Sequence, residues 1–137
     1  MRFETQNDLE RENKAIEAFL KPFKGTYRKL GDNDIDFEVY NSDGIKLAFV
    51  EVKGRLKNIE NAFPLPVSVK KLIKLYDKKL NPLIIWACFD GIIYGKLRDL
   101  KGSIISGGRP PRKGSFNDNE LMAYYNDSIN LKKIKYE

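Results

Sequence analysis

The amino-acid sequence predicts an α/β fold in which helices flank a mixed central β-sheet. The chain has 137 residues, a length that suits one domain with an ordinary core. Apolar residues recur with helical spacing in two segments, and other segments alternate or run apolar as strands do. The predicted order is α-β-β-β-α-β-β. Because a strand-helix-strand unit makes a right-handed crossover, the strands on either side of the second helix should lie parallel in one sheet.

The first helix is predicted from an N-cap at Asn7 or Asp8 to the residue before Pro22. Its apolar residues are spaced as one face of a helix; they are Leu9, Ala15, Ile16, Phe19 and Leu20. A strand over 26–30 follows, and residues 35–39 then alternate apolar and acidic as a half-buried strand does.

A β-hairpin is predicted next, because Asp43-Gly44 is a strong turn signal between two strand-like segments. The returning strand covers 46–53, with the sequence KLAFVEVK. Side chains alternate along a strand, so Glu51 and Lys53 share a face with Leu47 and Phe49.

The second half of the core is predicted to begin with a loop over 54–66. Ser68 then caps a second helix, which Asn81-Pro82 ends. Residues 83–89 form a continuous apolar run, the pattern of a strand buried on both faces, and a further strand over 92–97 follows.

The C-terminal part is predicted to be mostly loop. From Lys101 the chain is rich in Gly, Pro and Ser, which indicates a long surface loop before a short closing segment. We therefore expect a single domain over 1–137, with its core at about 8–97 and a basic loop and closing segment over 98–137.

Composition excludes several classes of chemistry. The chain has no His and a single Cys, which excludes Cys/His metal sites, a disulfide framework and hydrolases with a histidine base. Acid, base or metal chemistry must therefore fall to carboxylates and lysines. The formal net charge is +6, from 25 Lys and Arg against 19 Asp and Glu. Since Lys and Arg neutralise phosphates, nucleic acid is the first partner to consider.

The expected location is the cytoplasm. The longest apolar run, 83–89, is much shorter than the roughly 20 residues of a membrane span. The first residues, MRFETQND, lack the apolar stretch of a signal peptide.

The hairpin places acidic residues together. With a two-residue turn, Asp36 lies directly opposite Glu51, and Asp34 lies opposite Lys53; with a four-residue turn, Asp34 faces Glu51 instead. Two like charges across a sheet cost stability unless a cation lies between them. Mg²⁺ prefers such oxygen ligands, so Asp36 and Glu51 are candidate metal ligands. The alternative is that these acids are the solvated face of an antiparallel hairpin.

The segment DIDFEVYNSDGIKLAFVEVKGR resembles the core hairpin of the PD-(D/E)XK nuclease superfamily. In that pattern Asp36 is the first acid and Glu51-Val52-Lys53 is the second motif. The resemblance covers about 8–97 and implies a restriction-endonuclease-like αβββαβ core. This chain has Ile35 where the family often has a proline, so Asp34 remains a rival to Asp36.

The resemblance implies metal-dependent phosphodiester hydrolysis, as in small phage-type endonucleases and junction resolvases. Mg²⁺, with Mn²⁺ as a substitute, would be held by Asp36, Glu51 and the Val52 carbonyl, and Lys53 would orient the nucleophile or stabilise charge. A first-helix glutamate often joins the metal site. Glu12 lies on the inward stripe of that helix and is the candidate, with Glu10 and Glu17 as alternatives.

Lys71 is the second catalytic lysine that the resemblance implies, because related small nucleases carry a Lys or Gln at the start of the second core helix. Substrate contacts are expected from basic residues near the site and in the loop; they are Arg55, Lys70, Lys101, Arg109, Arg112 and Lys113. The expected substrate is DNA, with RNA left open, selected by shape or strandedness rather than by sequence. A homodimer is expected by analogy alone.

Two other functions remain open from the sequence. One is a non-catalytic nucleic-acid-binding module on the same fold. The other is an interaction domain with an acidic hairpin face, which should show no salt-sensitive binding to nucleic acid.

Overall fold

The structure is a computed structural model that describes residues 6–31, 35–77, 81–100, 102–108, 119–126 and 129–136, with the backbone alone for 103–108 and 119–120. Two α-helices are described, α1 (Gln6–Leu20) and α2 (Val69–Tyr76). The strands are β1 (Thr26–Lys29), β2 (Phe37–Tyr40), β3 (Lys46–Gly54), β4 (Leu65–Ser68), β5 (Pro82–Ala87), β6 (Gly91–Lys96), β7 (Ser103–Gly108), β8 (Asn119–Tyr125) and β9 (Lys132–Lys135).

A six-stranded mixed sheet forms the centre of the fold, in the order β1-β2-β3-β5-β6-β9. Strands β3 and β5 are parallel, and every other described pair in this sheet is antiparallel. The predicted crossover between β3 and β5 is therefore confirmed. The closing segment supplies β9, which pairs with β6 at the edge of the sheet.

Helix α1 covers one face of the sheet. Its buried Ala15, Ile16 and Phe19 pack against Val50 of β3 and Ile85 of β5. The helix ends at Leu20, and a 3₁₀ turn over Lys21–Phe23 contains Pro22. The helix ends at this point because proline cannot donate the backbone hydrogen bond that a continuing helix requires.

Helix α2 covers the opposite face. Ser68 caps it as predicted, since its side-chain oxygen accepts a hydrogen bond of 3.3 Å from the Lys71 N–H. Leu72 and Leu75 pack in one cluster with Ile84 of β5. Because apolar side chains cover both faces of β5, this strand has the continuous apolar run seen in the sequence.

Strand β5 is shorter than predicted. The predicted strand ran over 83–89, whereas β5 ends at Ala87. Cys88 is buried as expected, but Phe89 lies in a bend and is 62% exposed. The apolar run therefore continues past the end of the strand.

The hairpin between β2 and β3 reaches the predicted register by a different route. Asn41 accepts hydrogen bonds of 2.9 Å from the Asp43 and Ile45 N–H groups, and Gly44 has a φ of 80°. This turn is longer than the predicted two-residue turn, and a bulge beside Tyr40 compensates, so that Phe37 pairs with Val50.

The prediction of loops over 54–66 and from Lys101 onward was wrong in part. A second sheet in the order β4-β8-β7 includes Leu65–Ser68, Ser103–Gly108 and Asn119–Tyr125. No short turn joins these strands in the sequence, because β8 pairs with β4 and β7, both of which are distant along the chain. The Trp86 indole links the two sheets, because its N–H donates to the Pro66 carbonyl at 2.8 Å.

Neither of the described helices has the length and apolar character that crossing a membrane requires.

Candidate active site

Asp36 and Glu51 form a buried carboxylate pair on the hairpin. The β2–β3 register, continued by one residue beyond the Phe37–Val50 pair, sets Asp36 opposite Glu51. The two residues are 1% and 3% exposed. The Val52 N–H donates to Asp36 Oδ2 at 2.9 Å, which fixes that carboxylate against β3. Asp34, the rival first acid, lies outside the described residues.

Glu51 is not fully neutralised. Its Oε1 lies 3.2 Å from Lys71 Nζ, whereas its Oε2 is buried and has no hydrogen-bond partner among the described residues. Burial raises the pKa of Glu51, repulsion from Asp36 raises it further, and Lys71 only partly offsets both, which leaves this pKa at about 8. A cation bound between the two carboxylates would lower the pKa of Glu51 again, because a cation favours the charged form of both carboxylates.

The two predicted catalytic lysines approach the acid pair from different elements. Lys53 follows Glu51 by two residues on β3, so its side chain leaves the strand on the same face. Lys53 is exposed and makes no ion pair or hydrogen bond with any residue that the structure describes. Lys71 comes from the first turn of α2 and contacts Glu51 directly.

Glu12 is buried, as predicted, but it does not join the acid pair. Its Oε2 lies 2.7 Å from Lys29 Nζ, and its helix covers the face of the sheet opposite to α2. Within the described ranges, no three Asp, Glu or Cys residues lie close enough together to hold a metal. The alternatives Glu10 and Glu17 are exposed and bind Gln6 and Tyr27, respectively.

The pair is suited to a divalent cation. An unpartnered carboxylate oxygen beside a second buried carboxylate is a site with excess negative charge, and hard oxygen ligands are those that Mg²⁺ prefers. Mg²⁺ is commonly bound by one or two carboxylates together with water and substrate phosphate, so a third protein carboxylate is not required.

The basic residues predicted to contact nucleic acid differ in their surroundings. The Arg55 guanidinium donates to the carbonyls of Ala62 at 2.8 Å and Pro64 at 3.2 Å, so it stabilises the loop after β3. Lys70 is exposed on α2. The other four lie outside the described residues; they are Lys101, Arg109, Arg112 and Lys113.

A cavity of about 640 Å³ lies at the other end of the sheet. Its lining includes Leu47 and Ala48 at the start of β3 and Leu83 at the start of β5. Asp36, Glu51, Lys53 and Lys71 do not line it. The acid pair is therefore separate from this cavity.

Sequence reasoning missed the partner of Glu12. Lys29 belongs to β1, and only the placement of β1 at the edge of the sheet beside α1 brings the two side chains together. No local signal in the sequence indicates this contact.

One comparison with known proteins identifies a family for this chain. A family model described as "Phage putative PDDEXK endonuclease" matches residues 1–132. No curated protein and no solved structure matches the chain. The match spans the acidic hairpin, both helices and the second sheet. The chain therefore belongs to this phage PDDEXK endonuclease family, within the PD-(D/E)XK nuclease superfamily.

Proposed function

We propose that the protein is a Mg²⁺-dependent endonuclease that hydrolyses phosphodiester bonds in DNA and selects its substrate by structure rather than by sequence. The observation that carries the proposal is the buried Asp36–Glu51 pair. Within the part of the chain that the structure describes, Glu51 Oε2 has no hydrogen-bond partner and Lys53, beside the pair, has no ion pair. Maintaining such a pair costs folding free energy, which is typical of a functional site.

Asp36 and Glu51 would hold the cation, with the Val52 carbonyl as a further oxygen ligand. When bound, a divalent cation supplies Lewis-acid chemistry, in that it activates water and offsets charge on the phosphate. The protein's own contribution is to fix the two carboxylates. Asp36 is held by the Val52 N–H and Glu51 by Lys71, so neither needs to reorganise when the cation binds.

Lys53 is assigned to the phosphate. Its ammonium group leaves β3 beside Glu51 and has no described counter-ion, so it is free to contact a non-bridging phosphate oxygen. There it would stabilise the charge that develops as the water oxygen bonds to phosphorus and the ester P–O bond breaks. Lys71 is assigned the separate role of balancing the charge of Glu51.

We further propose that residues 1–137 act as one domain in the cytoplasm, where DNA is available as a substrate. Trp86 and Tyr125 support the single domain, because these residues of the two sheets pack edge to face at 5.7 Å. By analogy, a homodimer would present two such sites to the two strands of a duplex.

The test is an incubation of the purified protein with labelled single-stranded DNA, duplex DNA, four-way-junction DNA and RNA, in Mg²⁺, Mn²⁺ or EDTA. Glu51→Gln and Lys53→Ala are the test variants. Lys132→Ala is the matched control, since Lys132 is an exposed lysine on β9 that lines the cavity at the other end of the sheet. Cleavage that requires metal, disappears in both test variants and persists in the control is the expected result.

Two outcomes would contradict the proposal. Binding to DNA without cleavage under any metal condition would favour the non-catalytic binding module. Cleavage that survives in EDTA, or in both test variants, would place the activity outside the acid pair.

A further inference from the structure

Two large apolar side chains are exposed where β3 and β5 leave the sheet. Leu56 is 59% exposed and Phe89 is 62% exposed. Because β3 and β5 are parallel, the two strands end at the same end of the sheet, just beyond the pair formed by Lys53 and Trp86. The proposed catalytic lysine, Lys53, lies at this end.

The backbone of both residues is anchored. The Arg55 N–H donates to the Ala87 carbonyl at 2.8 Å, and the Phe89 N–H donates to the Lys57 carbonyl at 3.0 Å. These two hydrogen bonds extend the β3–β5 pairing past the ends of the strands. Leu56 and Phe89 therefore lie on neighbouring, paired segments of backbone.

Further contacts hold the loop that carries Leu56. The Arg55 guanidinium binds two carbonyls of the same loop, and the Ile59 N–H donates to Asp90 Oδ1 at 2.8 Å. Ile59 itself is buried. These hydrogen bonds fix the backbone that carries the exposed apolar pair. None of them involves the side chain of Leu56 or Phe89, so they do not explain why these two residues are apolar.

Lys53 and Phe89 lie at the same end of the sheet. Trp86 is the strand partner of Lys53, and Phe89 lies three residues beyond Trp86, in the bend that follows β5. A DNA strand whose phosphate contacts Lys53 therefore passes the end of the sheet at which Phe89 is exposed.

The charge around the apolar pair favours the same partner. Lys53 and Lys57 are exposed on either side of Leu56 in the sequence. The carboxylates of this loop and of the turn after β5 are Glu60, which is exposed, and Asp90, which accepts the Ile59 N–H. Asp36 and Glu51 beside Lys53 are buried. Exposed aromatic groups among basic side chains are typical of surfaces that bind single-stranded nucleic acid, where the bases stack and the phosphates pair with the cations.

We propose that Leu56 and Phe89 form an apolar platform that stacks on an unpaired DNA base, so that the active site acts on DNA with unpaired nucleotides close to the scissile phosphate. The selective cleavage that would follow from this platform rests on the proposed nuclease function. The platform itself is a binding surface, and its selectivity is measurable without cleavage.

The experiment compares binding of a perfect duplex with binding of the same duplex carrying a short unpaired loop, with Ca²⁺ in place of Mg²⁺. A 2-aminopurine in the loop reports stacking by its fluorescence. Phe89→Ala should weaken binding of the looped DNA by at least about fivefold and abolish the quenching of 2-aminopurine, because one stacked base contributes about that much affinity. Binding of the perfect duplex should change less than about twofold.

Two variants keep the test specific. Phe89→Trp retains an aromatic surface and should restore both loop binding and quenching. Phe23→Ala is the matched control, because Phe23 is 57% exposed but lies beside the cavity at the other end of the sheet; it should change neither quantity. Equal weakening of both DNAs by Phe89→Ala, or no weakening of either, would overturn the platform.

Failure of the platform and failure of the nuclease are distinguishable. If the wild type cleaves DNA in Mg²⁺ and Phe89→Ala keeps the same preference between the two DNAs, the platform is wrong and the nuclease stands. If the wild type never cleaves but binds the looped DNA selectively through Phe89, the nuclease is wrong and the platform stands. A dimer that dissociates on Phe89→Ala without any change in DNA selectivity would assign this surface to a second copy of the chain and overturn the platform.

Discussion

Two buried glutamates on the same hairpin have opposite surroundings. Glu38 on β2 and Glu51 on β3 are 4% and 3% exposed. Glu38 binds Arg28 at 2.6 Å, Lys46 at 2.6 Å and the Tyr40 hydroxyl at 2.8 Å. Its pKa is lowered to about 2, with the hydrogen bond from Lys46 as the largest cause. Glu51 has one lysine at 3.2 Å and an unpartnered oxygen, and its pKa is raised to about 8.

The difference fits a structural role for Glu38 and the functional role that we propose for Glu51. The described residues include four buried charged side chains, and all four are acidic in a chain of net charge +6; they are Glu12, Asp36, Glu38 and Glu51. Basic side chains neutralise Glu38 and Glu12. Asp36 and Glu51 instead face each other, which costs stability in the absence of a cation. This contrast leads to four predictions.

The largest expected effect is on cleavage. Glu51→Gln should lower the rate of DNA cleavage by at least about 1000-fold, because it removes a cation ligand whose contribution is several kcal/mol. Glu38→Gln is the matched control and should change the rate less than about threefold, since the partners of Glu38 are Arg28, Tyr40 and Lys46, none of which is the lysine that pairs with Glu51. Single-turnover rates in saturating Mg²⁺ provide the measurement. Equal losses in the two variants would remove the distinction between the two glutamates.

Lys53→Ala should lower the cleavage rate by about 100-fold, because the charge that develops on the phosphate loses a positioned cation. The loss should persist at saturating DNA, which places it in the chemical step rather than in binding. Lys132→Ala on β9 should retain the wild-type rate under the same conditions. If raising the DNA concentration rescues Lys53→Ala, Lys53 is a binding residue only.

Glu12 tests whether another buried glutamate with a basic partner behaves like Glu38 rather than like Glu51. Because Lys29 lies 2.7 Å from Glu12, we expect Glu12→Gln to lower the cleavage rate less than about tenfold. The family resemblance implies a larger loss, with Glu12 as a metal ligand. A loss comparable to that of Glu51→Gln would show that Glu12 leaves Lys29 and joins the acid pair during catalysis.

The smallest expected effect is on stability in EDTA. Glu38→Gln should lower the free energy of unfolding by about 1 kcal/mol, because it weakens charge-assisted hydrogen bonds that are partly exposed to solvent. Glu51→Gln should leave this free energy unchanged or raise it, because it removes a buried and poorly neutralised carboxylate. Urea denaturation of the two variants measures both changes. A larger loss for Glu51→Gln than for Glu38→Gln would contradict the account.

The central part of the fold follows from local sequence signals. The 3.6-residue spacing in α1, the cap at Ser68 and the apolar run of β5 each specify an element without knowledge of its neighbours. The parallel pairing of β3 and β5 then follows from the handedness of the crossover. The pairing of Asp36 with Glu51 belongs to one of the two registers predicted for the hairpin, and it is reached because the bulge beside Tyr40 offsets a turn longer than two residues.

The remaining features depend on contacts between distant segments. Strands β7 and β8 are separated by residues 109–118, and the Gly and Ser content of 103–108 is typical of a loop, so neither strand was predicted. The bulge beside Tyr40 has no sequence signature, although it restores the predicted register. Phe89 was assigned to a buried strand because an apolar run does not show where strand pairing ends.

The central claim is that Asp36 and Glu51 form the cation site, and equilibrium binding of Mn²⁺, followed by electron paramagnetic resonance, tests it most directly. The wild type and Glu38→Gln should bind Mn²⁺ with similar affinity, and excess Mg²⁺ should displace it. Glu51→Gln should bind it at least about tenfold more weakly, because one of two charged ligands is lost. Equal affinity in Glu51→Gln and the wild type would show that the cation binds elsewhere and would contradict the account.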